Sequence, residues 1–241
     1  MRQAQRQQAA RVVLRAILVL LAFSAAAAAQ SEIEFWPQVD ANIAVTPELN
    51  LLLMASGSTD GDRRAARYSF GPTLSVAILP FLNPRLKTLN PERSRFLTFS
   101  AGYRFVDRVS RGTTENRGVL DLTVRMPQPA KFQIADRNRI DLRGLETRFA
   151  WRYRNKLTLS HSLQVRKLIF TPYAAAEVFY DCTAGQWSRY NYSFGSIFRV
   201  SSEVQLEPYF QHGISIPHPQ NNEAKAVGLQ LELFFHRAGA P

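Results

Sequence analysis

Arg137, Arg139, Asp141 and Arg143 stand at alternate positions in one short stretch, and Arg148, Arg152 and Arg154 follow within a dozen residues. Glu177, Glu203, Glu207 and Glu232 supply carboxylates further along, with Tyr173 and Tyr209 nearby in sequence. Guanidinium and carboxylate groups brought to one place form charge-assisted, often bidentate hydrogen bonds. On one face of a set of strands they predict a charge network. Two roles suit such a network, a plug that fills an enclosed space or a basic path for small anionic solutes.

Other chemistry is thinly represented. His161–Ser162 is the nearest approach to a base and nucleophile, with Glu177 or Glu207 as an orienting carboxylate. Adjacent residues on a strand point to opposite faces, so these two cannot face each other directly. No catalytic residue is therefore assigned, and the chain is not expected to be an enzyme. His212 and His218 match no zinc spacing. Asp60, Gly61 and Asp62 lack the twelve-residue pattern of a calcium loop. No metal or cofactor is expected. Cys182 is the only cysteine of the 241-residue chain, which excludes an intrachain disulfide and a CxxC motif.

The formal charge is +11, but Lys and Arg are scattered along the chain and not gathered in one stripe. A nucleic-acid partner is not expected; an anionic lipid surface or an anionic solute fits the same charge.

The elements that must position these residues share a period of two. Arg67–Leu79 places Tyr68, Phe70, Pro72, Leu74, Val76 and Ile78 opposite Arg67, Ser69, Gly71, Thr73, Ser75 and Ala77. Such alternation predicts a strand with one apolar and one polar face. Phe35–Val45, Leu97–Phe105, Gly118–Met126, Phe149–Leu159, Leu168–Asp181, Arg189–Phe198, Glu203–Gln211 and Val227–Phe235 repeat it. Leu49–Ala55, nearly all apolar, and Phe132–Gly144, interrupted by charge, are weaker. The count is eleven. A bacterial single-chain barrel is expected to have an even number, so the expectation is ten to twelve. Stretches rich in Gly, Pro, Asn and charge, among them 57–64, 83–95, 108–116 and 217–223, predict loops.

The N-terminus carries an address. Arg2, Arg6, Arg11 and Arg15 accompany a short apolar core, Val12–Phe23, and then a small-residue tail ending Ala27–Ala28–Ala29. That order predicts a cleaved secretory signal peptide over 1–29, leaving 30–241 as one domain. The apolar run is too short for a membrane helix.

Three features favour a transmembrane barrel over a soluble one. The apolar runs last about nine to thirteen residues, and a tilted spanning strand needs about nine to eleven. Aromatics such as Phe35, Tyr68, Tyr103, Phe105, Phe149, Phe170, Tyr180, Phe198, Phe210 and Phe235 sit near strand ends, as interfacial girdles do. Gly228, Leu231, Leu233 and Phe235 resemble the C-terminal signal read by the barrel-assembly machinery, although His236–Pro241 follows. The expected fold is an all-β, antiparallel transmembrane barrel in the outer membrane of a Gram-negative bacterium. Its partners would be outer-membrane lipid, and the assembly machinery during biogenesis. An outer-membrane lipid-modifying enzyme and a soluble periplasmic ligand-binding barrel are the alternatives.

The phrases FWPQVDANIAVTPELNLLL (35–53), ADRNRIDLRGLE (135–146), WRYRNKLTLSHSL (151–163), FTPYAAAEVFYD (170–181) and LEPYF (206–210) resemble the bacterial family of unknown function 2490. The likeness covers nearly the whole mature chain. It implies an outer-membrane barrel with no established activity, substrate or cofactor, and it transfers no catalytic residue.

Overall fold

The computed structural model describes residues 33–59, 65–78, 95–127, 132–165, 168–216 and 223–235. The signal-peptide expectation and the GSTDGD aspartates lie outside the described residues. The chain forms β1 (Ile33–Ala44), β2 (Leu49–Thr59), β3 (Ala65–Ala77), β4 (Leu97–Arg108), β5 (Thr113–Pro127), β6 (Phe132–Leu145), β7 (Phe149–His161), β8 (Leu163–Val165), β9 (Leu168–Asp181), β10 (Gln186–Arg199), β11 (Val204–Ser215) and β12 (Glu223–Phe235). β8 continues β7 past Ser162 against the same partner, β9, so the twelve segments make eleven staves. Each stave pairs antiparallel with the next, and β12 closes on β1.

That closing pair is parallel, running from Ile33 opposite Lys225 to Ile43 opposite Phe235. An up-and-down meander of eleven staves must close this way, because its first and last staves point in the same direction. The expectation of an even number is therefore corrected, while the eleven candidate strands match the eleven staves. Followed across the registers, a position on β1 returns to β1 displaced by about fourteen residues, which tilts the strands by about 40° and gives a backbone diameter of roughly 20 Å.

The two faces are sorted inside out. On β3 and β4, Thr73, Ser75, Thr98 and Ser100 are buried, while Leu74, Val76 and Phe99 between them are exposed. On β5 and β10 the same holds for Asp121, Thr123, Asn191 and Ser193 against Leu120, Leu122, Tyr192 and Phe194. Glu115 and Asp141 are 0% exposed; Phe194 is 59% exposed. The polar residues fill the lumen and the apolar ones face outward. Leu229 and Leu231, on the apolar face of β12, are buried as well.

Several strands outrun their sequence limits. β5 begins at Thr113, so the loop expected over 108–116 shrinks to a 3-10 turn, Val109–Arg111, closed by Gly112 in the left-handed region at φ 59°. The turns at 109–112, 146–148 and 182–185 lie at the mouth where β1 starts; those at 45–48 and 200–203 lie at the mouth where β12 ends. Ile33 and Phe235 are thus at opposite ends of the barrel.

Candidate functional site: the charged lumen

The lumen is densest in charge where β4 to β9 face it. Period two puts Glu115, Arg117 and Asp121 of β5, Arg137, Arg139, Asp141 and Arg143 of β6, and Arg152, Arg154 and Lys156 of β7 on the inner face. Registers such as Asp121 opposite Arg139, and Lys156 opposite Glu177, then set opposite charges across from one another on neighbouring strands.

Three hubs result. Glu115 accepts from Arg143 through Nε to Oε1 at 2.8 Å and Nη2 to Oε2 at 3.0 Å, from Arg117 Nε at 2.8 Å, and from Arg108. One carboxylate with no exposed surface thereby holds three guanidiniums. Asp121 takes a bidentate fork from Arg139, at 2.7 and 2.8 Å, with Arg137 Nε 3.9 Å away. Glu177 Oε1 accepts from Arg137 Nη2 at 2.8 Å and from Arg154 Nη2 and Nε at 2.8 and 3.1 Å. Arg154 also reaches Asp141 at 3.5 Å, and its guanidinium lies 4.6 Å from the centroid of the Phe179 ring. Pairing of this kind offsets the cost of burying the charges.

A second polar group crosses the parallel seam. Gln230 Nε2 donates to Asp40 Oδ2 at 2.8 Å and to Glu232 Oε1 at 2.9 Å, and Gln38 Nε2 donates to Asp40. Tyr173 Oη donates to Glu207 at 2.7 Å. Tyr209 packs its ring over Gly228, where an added Cβ would overlap it.

The structure thus brings Arg137, Arg139, Arg143, Arg154 and Glu177 into one network. Arg152 lies beside it, 5.9 Å from the centroid of the Phe179 ring, with its buried Nε lacking a hydrogen-bond partner. Glu207 and Glu232 line the lumen on the other side. Arg148 and Glu203 are not brought in. Both are exposed, in the turns at 146–148 and 201–203. The alternation assigned them the correct parity, but the strands start one residue later, at Phe149 and Val204.

Glu115, Asp121, Arg104, Arg108, Arg117 and Lys156 were missing from the expected network. Asp121 and Arg104 were readable as polar-face positions, and Glu115 was hidden inside the presumed loop. His161 stacks on Phe132 on the outer face, ring centroids 4.2 Å apart, while the Ser162 hydroxyl lies 3.3 Å from that of Thr171. His212 Nε2 is 3.6 Å from Glu223. Cys182 sits in the turn after β9.

The outer face carries a polar island that alternation alone did not flag as a group. Asn155 Nδ2 donates to Asp136 at 2.5 Å and Asn138 at 3.2 Å, and Tyr153 Oη donates to Asn138 at 2.5 Å. These four lie mid-strand among exposed Leu142, Trp151, Leu157 and Leu159. The DRNR and WRYRN phrases thus serve both surfaces. Their arginines point inward; Asp136, Asn138, Tyr153 and Asn155 point outward.

No curated protein matches the chain. Residues 88–224 match the model of a family described as a protein of unknown function, DUF2490, and this chain belongs to that family.

Proposed function

We propose that this protein is a bacterial outer-membrane β-barrel, delivered by a cleaved signal peptide, whose lumen is filled by a structural network of paired charges. The observation that carries the reading is the inside-out sorting of side chains. Exposed Leu74, Val76, Phe99, Leu122, Leu157 and Phe194 form an apolar exterior, and the ion pairs lie within. A soluble barrel reverses this arrangement. Strands of about a dozen residues, tilted by about 40°, exceed the nine to eleven that a spanning strand needs. Outer-membrane lipid is then the principal partner, and the assembly machinery acts during biogenesis. Conduction of small anions is the second reading, favoured by the excess of cations over carboxylates on the inner face of β3 to β10. We assign no catalytic role.

Fractionation and heat-modifiability test the location. The full chain, expressed with its N-terminus, is expected to stay with outer membranes through alkaline washing. It should also migrate differently on a detergent gel before and after boiling. Release as a soluble periplasmic protein would overturn the proposal. Planar-bilayer recording separates the two roles. Conductance near baseline fits a filled lumen, and steady anion-selective steps fit the transport reading.

A further inference from the structure

We propose that the mouth at which β1 begins carries a binding site for phosphate-class oxyanions, built from Arg67, Arg152 and Arg189. The inference rests on the closed barrel and not on its location in a membrane.

Arg67 stands near the start of β3, Arg152 near the start of β7 and Arg189 near the start of β10, all on the inner face and all at the same mouth. Among the described residues none of the three has a carboxylate within 4.0 Å. Each is instead held by a neutral neighbour. The Arg67 guanidinium lies 5.9 Å from the Trp36 ring centroid, and that of Arg152 5.9 Å from the Phe179 ring centroid. Arg189 donates from Nε to Asn191 Oδ1 at 2.8 Å, and its guanidinium fills the space above Gly213 that a Cβ would occupy. These contacts orient the guanidiniums without neutralising them.

The surroundings add positive charge. Arg67 is within electrostatic reach of Arg108, Arg117 and Arg189, and Arg152 of Arg117, Arg143 and Arg154. Glu115 serves Arg108, Arg117 and Arg143 together, so one carboxylate answers three guanidiniums. Glu34 and Asp141 are the acids that act on Arg67 and Arg152, and Glu34 already accepts from Trp36 Nε1 at 2.7 Å. The buried Nε of Arg152 lacks a hydrogen-bond partner, which is costly unless something accepts from it.

A multivalent oxyanion answers each demand. It offers several acceptors, it suits the planar fork of Arg, and it carries more than one charge. Chloride offers no directional acceptors and a monocarboxylate only one charge. The opposite mouth differs. There Arg199 donates to the carbonyl of Ser201 at the turn, and Asn42, Asn50, Ser75 and Thr98 face the lumen.

The test uses the full-length barrel folded in a neutral detergent, with pyrophosphate as probe, read by isothermal titration and by the fluorescence of Trp36 after Trp151→Phe and Trp187→Phe. Saturable binding is expected, weakened at least about tenfold in Arg67→Gln/Arg189→Gln and unchanged in Arg199→Gln. The gel shift of the unboiled protein certifies that each variant still folds. Equal loss of binding in Arg199→Gln overturns the proposal. A phosphatidic-acid arm distinguishes the source. Binding by soluble pyrophosphate assigns a free anion, and binding seen only with phosphatidic acid in the micelle assigns a lipid headgroup. Failure of both overturns the site while leaving the outer-membrane reading to its own fractionation test.

Discussion

Glu115 is the residue on which most converges, because it is wholly buried and holds three arginines. Removing its charge while keeping its shape leaves those cations facing one another. Glu115→Gln is expected to destabilise the folded barrel by about 3–5 kcal/mol, the usual cost of breaking a buried ion pair from one side. Glu203→Gln, in an exposed turn, should stay within about 0.5 kcal/mol. Urea unfolding in lipid vesicles measures both, and equal midpoints would remove Glu115 from the stabilising network. Sequence reading found Arg137, Arg139, Arg143, Arg154 and Glu177 because alternation holds across their strands. It missed Glu115 for a physical reason. Outside the apolar belt the outward positions of β5 are Thr114 and Asn116, so the strand loses its apolar signature while its ladder continues against Arg108 and Leu145. Arg148 and Glu203 show the converse error, a correct period carried past the end of the strand.

At the scale of the element, the seam side of the barrel is packed differently from the arginine side. Tyr209 of β11 lies across Gly228 of β12, and Tyr173 lies close above Gly195. These rings fill the lumen where long charged side chains are fewer. A methyl group at position 228 must displace the ring. Gly228→Ala should therefore cost about 1–3 kcal/mol, as overpacking does. The cost should shrink when Tyr209→Ala is present, so that the two changes together fall below their sum. Additive effects in a double-mutant cycle would separate the glycine from the ring. In the sequence Gly228 read as part of a C-terminal recognition pattern, and nothing there announced Tyr209, directly opposite on the neighbouring strand, as its partner. Cross-strand packing depends on register, and register is set by the turns and by closure as well as by the hydrophobic pattern. The strands themselves were legible, including both weak ones. The outer island of Asp136, Asn138, Tyr153 and Asn155 was not, since its members come together only when β6 and β7 align.

At the scale of the whole molecule, the eleven staves, their all-β character and a barrel followed from the alternating runs, whereas the parallel closing pair did not. Parity was the misleading prior, and the parallel pairing of β1 with β12 is what an odd number requires. The pairing also has a consequence for biogenesis. A barrel assembled only from hairpins crosses a bilayer an even number of times and returns its tail to the side it came from. Here one stave is unmatched, so Ile33 and Phe235 stand at opposite mouths, and in the proposed membrane location they would face two different compartments. In a Cys182→Ser background, single cysteines at Ile33 and Phe235 report this. A membrane-impermeant maleimide applied to intact cells should label one and spare the other, and labelling of both or neither would return the tails to one side. If the proposed location holds, this opposite placement of Ile33 and Phe235 makes the barrel a physical link between the two sides of the membrane even with its lumen filled.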